Sequence, residues 1–286
     1  LVRETHIVRT INGTERNGQK MIDIDGFKEY LYEEELAPNT IATYVKGVEK
    51  YAERFDTITK PNLIEFKRYL VENYKPQTVN LRITALLTYC KYKGIEMKLK
   101  QVKLAKKTSI DNVISLDQYN RLIDGLKRDD NMRWYITIVV LARTGMRISE
   151  ALKIRKSDII NGKVTLNAKA HMRTIFFPKT LTDEILPYLS NVSDDDFVLQ
   201  NHNGQPITSR GVSGELRRFA DKYGIPKEVM HPHSFRHFFA IEFVKRNNNI
   251  SLLADLLGHG SVNITQIYLR QSEEQQKTAV DNTVNW

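Results

Sequence analysis

The feature that most restricts how this chain can fold is the period of its apolar residues, which is helical along most of its length and extended over one short stretch. From about Met21 to Lys93, Ile24, Phe27 and Leu31, then Ile41, Tyr44, Val48 and Tyr51, then Leu63, Phe66 and Leu70, then Val79, Ile83, Leu86 and Leu87 recur mostly at three- and four-residue steps. That spacing places them on one face of successive helices. Four helices are predicted here, opening near Asn39 or Thr40 after Pro38, at Thr59 before Lys60-Pro61, and at Thr78 after Pro76. Further on, Ser115-Leu-Asp-Gln118 has the form of a capping box opening a helix to about Arg128. The segment Trp134 to Arg143 is apolar nearly all round, as a buried helix is, and Gly145 stands where a left-handed stop is expected. Only Val164-Thr-Leu166 and Thr174-Ile-Phe-Phe177 read as paired strands, with Asn167 to Arg173 as the turn region. Helical patterns resume at about 180–189, 209–223, 233–247 and 251–257. The expected fold class is mainly α: a helical unit, then a mixed, mainly helical unit with a small antiparallel β-sheet.

The chain's 286 residues fit two such units. Residues 1–20, with Asn12-Gly13 and Asn17-Gly18 around the run Ile7 to Ile11, read as a hairpin or a loose extension. Residues 21–98 form the first helical domain, 99–112 a basic linker and 113–286 the second domain with a C-terminal tail. The linker reading rests on a lysine run, Lys91, Lys93, Lys98, Lys100, Lys103, Lys106 and Lys107, opposed only by Glu96.

Charge points to a partner. Lys and Arg number 43 against 34 Asp and Glu, a net +9, and nucleic acid is the commonest acidic partner of a basic chain this size, with solubility alone as the bland reading. Candidate phosphate contacts are Lys46, with Thr78, Asn80 and Arg82 near a helix start, and Lys98, Lys100, Lys103, Lys106 and Lys107 along the linker. A solvated face is the competing reading for each. The longest apolar run, Trp134 to Ala142, is far short of the roughly 18 residues a spanning helix needs, so no membrane role is expected. With Cys90 alone, neither an intrachain disulfide nor a cysteine zinc cage can form, which fits a reducing compartment.

In the second unit a few residues resist explanation as packing. Arg147 follows Gly145 and opens a short helix. His231-Pro-His-Ser-Phe-Arg-His237 places His233 and Arg236 three apart at the head of an amphipathic helix, so both can address one point. His259 follows a helix-ending Gly258, and Tyr268 comes nine residues later. His233 and His237 also have the i, i+4 spacing of helix-borne zinc ligands. Ser234 stands where the metalloprotease form needs Glu, and no third ligand follows at motif spacing. Phosphate-loop and nucleophile-elbow motifs are absent. Neither a metal nor a cofactor is expected.

Taken together, Thr144-Gly-Met-Arg-Ile-Ser-Glu-Ala151, His233-Ser-Phe-Arg-His237, and Leu257-Gly-His259 followed by Thr265-Gln-Ile-Tyr268 resemble the signature of the tyrosine recombinase (phage integrase, Xer-like) family, over about residues 21–286. The resemblance implies a core DNA-binding domain followed by a catalytic domain, and a site-specific recombinase that cuts and rejoins double-stranded DNA through a 3′-phosphotyrosyl link without metal. It implies Tyr268 as nucleophile, Arg147 and Arg236 as phosphate clamp, His233 as acid/base near the tyrosine hydroxyl and His259 as a hydrogen-bond donor to the phosphate. It further implies Lys169 as the acid for the leaving 5′-oxygen, and Glu150 as support for a clamp arginine.

Departures are Asn167-Ala-Lys-Ala-His-Met-Arg173 where Gly-Lys-Gly-x-Lys is frequent, which leaves Lys163 as a competitor to Lys169, and Phe235 and Gly260 where Leu and Ser are common. A homotetramer on two DNA sites is implied, with the tail from Gln271 to Trp286 docking in a neighbouring protomer through Ala279, Val280, Val284 and Trp286; the sequence alone equally allows a frayed end. A cytoplasmic, nucleoid-associated location follows from DNA as substrate. The start at Leu1 and the unmatched first 20 residues favour a trimmed mobile-element integrase. The alternatives are a type IB topoisomerase-like nicking and closing enzyme and a catalytically inactive DNA-binding protein of the same fold.

Overall fold

The computed structural model describes residues 15–16, 19–20, 22–104, 110–168, 171–201, 203–259, 265–269, 281 and 284. The chain divides into two compact units, Leu1–Lys106 and Lys107–Trp286.

In the first unit, β1 (Glu15–Arg16) and β2 (Gln19–Lys20) pair antiparallel, with Glu15 opposite Lys20. The run Ile7 to Ile11 and both Asn-Gly pairs lie outside the described residues. Four helices follow: α1 (Ile24–Glu33), α2 (Pro38–Ala52), α3 (Lys60–Asn73) and α4 (Pro76–Tyr92). Thr59 caps α3, its side chain accepting from the Asn62 backbone N–H. By contrast, α2 and α4 begin at Pro38 and Pro76 themselves, ahead of the predicted starts. Proline's fixed φ suits the first helical position, where no amide hydrogen is needed, so Asn39, Thr40 and Thr78 fall inside the first turns. Phe27, Leu31, Ile41, Val48, Leu63, Phe66, Leu70, Val79, Ile83 and Leu86 form the core.

The basic stretch differs from the linker expected of it. Lys91 belongs to α4, and Lys93 pairs with Asp23 at 2.8 Å. Beyond it Ile95, Met97, Leu99 and Val102 pack against the helical core. Asn80 clamps Val102, accepting from its N–H at 2.7 Å and donating to its carbonyl at 2.9 Å. Lys67 donates to the Lys100 carbonyl at 2.6 Å, and Lys60 to that of Lys98. The segment 95–104 is therefore a strap on the first unit. Its apolar residues alternate with exposed lysines, the two-residue period of extended chain, a pattern the lysine count conceals.

The second unit contains α5 (Leu116–Arg128), α6 (Met132–Thr144), α7 (Ile148–Ala151), α8 (Lys156–Ile160), β3 (Lys163–Ala168), β4 (His171–Phe176), α9 (Lys179–Ile185), α10 (Ser209–Tyr223), α11 (Pro232–Arg246) and α12 (Ile250–Leu257). Short 3-10 turns span Leu186–Leu189, Lys227–Val229 and Gln266–Leu269. The predicted capping box is present: Ser115 and Gln118 each bond the other's backbone N–H. Helix α6 runs through the core with Tyr135, Ile138, Val139, Val140 and Leu141 fully buried, joined there by Leu122, Leu181, Leu216 and Phe235 from four other helices.

The hairpin register runs from Lys163 opposite Phe176 to Ala168 opposite His171. Two residues remain for the turn, not the seven predicted. Ladder bonds join backbone groups whatever the side chains, so pairing continues where the apolar alternation fades.

Candidate active site

Two glycine turns organise the site. Helix α6 stops at Gly145, φ 64°, and α12 at Gly258, φ 62°, a left-handed conformation that glycine adopts at no steric cost. A Cβ at Gly258 would lie 2.5 Å from Cδ of Arg173, and one at Gly145 2.5 Å from Cδ1 of Phe239, so both positions also exclude larger residues by crowding. Each turn leaves helix-end carbonyls without intrahelical partners, at the negative pole of the helix dipole.

Three arginines use those carbonyls. Arg236 donates from Nη1 to the Gly145 oxygen at 2.7 Å and from Nη2 to the Leu257 oxygen at 2.5 Å. Arg147, at the head of α7, donates from Nη2 to the Gly258 oxygen at 3.2 Å. Arg173, from β4, reaches the Leu256 oxygen at 2.5 Å.

One carboxylate serves two of these cations. Glu150 accepts from the Arg147 backbone N–H at 2.7 Å and Nη1 at 3.0 Å, and from Arg173 Nη2 at 2.5 Å. Burial by itself would raise the Glu150 pKa; the Arg147 backbone bond and the arginine charges outweigh it and hold the group below its ordinary value. Arg236, 5% exposed, is pushed down to about 10, first by burial and then by the charges of Arg147 and Arg173. Among these groups a single carboxylate faces three guanidiniums. The local surplus of positive charge is what a bound anion would relieve.

The histidines and the tyrosine sit beside this cluster. His259, just past Gly258, has its Nδ1 2.8 Å from the hydroxyl of Thr265, a fully buried residue. Burial first, then Arg236, Arg147 and Arg173, lower its pKa to about 4, so the ring is neutral at pH 7. Nδ1 is thus engaged, which leaves Nε2 to face a ligand; in the tautomer in which Thr265 donates, Nε2 carries the proton and is a donor. His233 is exposed at the head of α11, and its pKa is lowered by the packing around the ring and by Arg236, His231 and Arg147.

Tyr268, in the Gln266–Leu269 turn, packs its ring against an apolar cluster of Ala240, Val244, Leu253 and Leu257. Its hydroxyl lies 2.7 Å from Nδ1 of His237. Burial raises the Tyr268 pKa, and the Arg236 charge partly offsets this.

The profile of the phage integrase family matches residues 112–275, more than half the chain and all of this cluster. The chain belongs to the phage integrase family. Membership places it among the tyrosine-type site-specific DNA recombinases. Tyrosine recombinase XerA of Thermococcus kodakarensis is 28% identical over 270 residues, covering 90% of this chain and 93% of that protein. Tyrosine recombinase XerD of Listeria innocua is 27% identical over 277 residues, 86% and 92% of the two chains. Among solved structures, the Tn1549 transposon integrase in complex with transposon right end DNA has a TM-score of 0.73 at 14% identity, over 92% of this chain and 99% of that one. A lambda integrase dimer bound to a COC' core site gives 0.71 at 17% identity, over 87% and 94%. These last two likenesses concern the fold.

Of the residues the sequence singled out, this phage integrase chain brings Arg147, Glu150, Arg236 and His259 to the two glycine turns, with Tyr268 within reach of the Arg236 charge. Lys169 lies outside the described residues. Lys163 stands at the far end of the hairpin from the turn. The ring against the tyrosine hydroxyl is that of His237, where the resemblance implied His233.

Two members of the cluster were missed. Arg173 appeared only as the end of the turn region, although it stands at the two-residue period of Ile175 and Phe177, the buried face of the strand. His237 closes the signature segment and forms half of the zinc pair considered, but neither reading gives it a role in the reaction. In the first unit, Lys46, Lys98, Lys100 and Lys103 are exposed and Thr78 is half-buried. Asn80 is occupied by Val102, and Arg82 lies 3.8 Å over the Tyr74 ring. Lys106, Lys107 and the tail positions Ala279, Val280 and Trp286 lie outside the described residues, as does Gly260. Among the described residues no helix is long and apolar enough to cross a membrane.

Proposed function

We propose that this recombinase cuts duplex DNA by attack of the Tyr268 oxygen on a backbone phosphorus, forming a 3′-phosphotyrosyl link and freeing a 5′-hydroxyl that a second DNA end later replaces. The observation that carries the reading is the convergence of Arg147, Arg236 and His259 on the turns at Gly145 and Gly258, beside a tyrosine whose hydroxyl is held by a histidine. Attack builds negative charge on the non-bridging oxygens, and buried Arg236 and partly exposed Arg147, both fixed by backbone carbonyls, stabilise that charge without reorganising. Neutral His259 donates from Nε2 to the same oxygens. Glu150 fixes the rotamer of Arg147. Exposed His233 does acid/base work at the phosphate, and Lys169 protonates the leaving 5′-oxygen. A phosphotyrosine ester conserves the bond energy, so neither nucleotide nor metal is consumed.

Exposed Lys46, Lys98, Lys100 and Lys103, with Thr78, Lys106 and Lys107, contact the phosphate backbone, each neutralised phosphate releasing counterions. Four protomers act on two DNA sites, exchanging C-terminal tails, to integrate or excise a mobile segment in the cytoplasm. Support for the mobile-element role is the fold shared with the Tn1549 integrase over nearly its whole length.

The test is a suicide substrate nicked so that the cleaved end diffuses away. Wild-type protein should accumulate covalent protein–DNA adduct and Tyr268→Phe none. Equal yields would remove Tyr268 as the nucleophile.

A further inference from the structure

We infer that His237, on α11, is the base that takes the phenolic proton of Tyr268. The inference rests on Tyr268 being the nucleophile. As the oxygen attacks, the O–H bond breaks, its electron pair forms the bond to phosphorus, and the proton passes to Nδ1 of His237. The P–O5′ bond breaks with its pair on O5′, which is protonated by the acid proposed above. On rejoining, the imidazolium returns the proton to the departing tyrosine oxygen.

Geometry selects this histidine. Its Nδ1 is 2.7 Å from the Tyr268 oxygen, inside the reach required of a general base. The two rings are 5.8 Å apart between centres and tilted by 46°. Acceptance needs Nδ1 bare, hence the tautomer with the proton on Nε2. His233, one helical turn earlier, is exposed, with its ring centre 6.5 Å from that of His237. Nδ1 of His259 is engaged with Thr265.

The contact is also held from both sides. Ala240 and Val244, three and seven residues beyond His237 on α11, line the apolar cluster against which the Tyr268 ring packs. The His259–Thr265 bond ties down the other end of the turn that carries Tyr268. Burial keeps the phenol protonated at rest, so the nucleophile needs an acceptor.

The experiment compares first-turnover cleavage of the suicide substrate by His237→Asn and His233→Asn, each with Tyr268 and with a fluorinated tyrosine inserted at that position. An asparagine oxygen stands close to where Nδ1 was and accepts a hydrogen bond, yet takes no proton. His237→Asn should fold and bind the site as wild type does, by urea unfolding and gel shift, and cleave about 10²–10⁴-fold more slowly. The fluorinated phenol, being more acidic, should recover most of that deficit and little of any deficit in His233→Asn. Wild-type cleavage by His237→Asn, a deficit that fluorination leaves unchanged, or a fluorination rescue confined to His233→Asn would each overturn the assignment. Adduct formation by Tyr268→Phe would instead overturn the nucleophile itself.

Discussion

Both units lay cations over aromatic rings, as Lys127 over Tyr135 shows in the second, but the second also gathers guanidiniums at two helix ends. In the first, positive side chains lie over tyrosine rings, Arg54 3.6 Å from Tyr69, Arg82 3.8 Å from Tyr74 and Lys93 4.3 Å from Tyr92. In the second, Arg147, Arg173 and Arg236 come from three separate elements and meet at two helix ends around one carboxylate. A stacked arginine at a surface contributes a little stability and keeps its charge available to solvent. Burial and the neighbouring charges lower the pKa of Arg236 and Arg173, and converging guanidiniums repel, an arrangement that costs stability until an anion arrives. Charge composition is nearly blind to this difference, because it counts cations and the chemistry depends on their convergence.

The contrast can be broken at its strongest point first. Arg236→Ala should lower single-turnover cleavage by about 10²–10³-fold, the typical loss of one such electrostatic donor. Arg236→Lys, which keeps charge and loses the two-carbonyl fork, should fall between it and wild type; equal cleavage by all three proteins would show that convergence is not what matters. Next, Arg173→Ala removes a charged donor from Glu150 and from the Leu256 carbonyl, and urea unfolding should show a loss of about 1.5–3 kcal/mol.

A third effect depends on pH. Folded His259 titrates at about 4 and the unfolded residue near 6.5. Between those values the unfolded chain binds more protons, so stability should fall as pH drops from about 6.5 toward 4. His259→Asn, which removes the titrating ring, should flatten that limb of the stability–pH curve; an identical curve would place the charge repulsion elsewhere. Last, Arg54→Ala in the first unit, where exposed Arg54 lies over the Tyr69 ring, should cost only about 0.5–1 kcal/mol, the worth of an exposed cation–π contact. A cost matching that of Arg173→Ala would erase the distinction between the units.

Helices were legible wherever an apolar stripe repeated every three or four residues, as in α3 and α5, and wherever a local capping signal stood at the start, as at Ser115 and Thr59. Local signals erred where two agreed in kind and differed in position. Pro38 and Pro76 take the first helical position, ahead of the polar residues that follow them. The lysine-rich stretch failed for a different reason. Its alternating Ile95, Met97 and Leu99 join a core assembled by the four preceding helices, and Asn80 closes on Val102 from 22 residues away.

The same division holds in the site. Gly145 and Gly258 announce themselves locally as helix stops, and Arg147, His233-x-x-Arg236, His259 and Tyr268 form an ordered set along the chain. Nothing local states that Arg173 bonds Leu256, 83 residues on, or that His237 faces Tyr268, 31 residues on.

By itself the sequence determined the elements, the glycine stops, the list of reactive side chains and the family, because each is written in short-range spacing. Which imidazole faces the tyrosine, which carbonyls hold the arginines, and whether a lysine-rich segment packs or links were decided only by tertiary structure. Those outcomes depend on distances between residues remote in the chain, and such distances exist only once both glycine turns and the cores beneath them have formed.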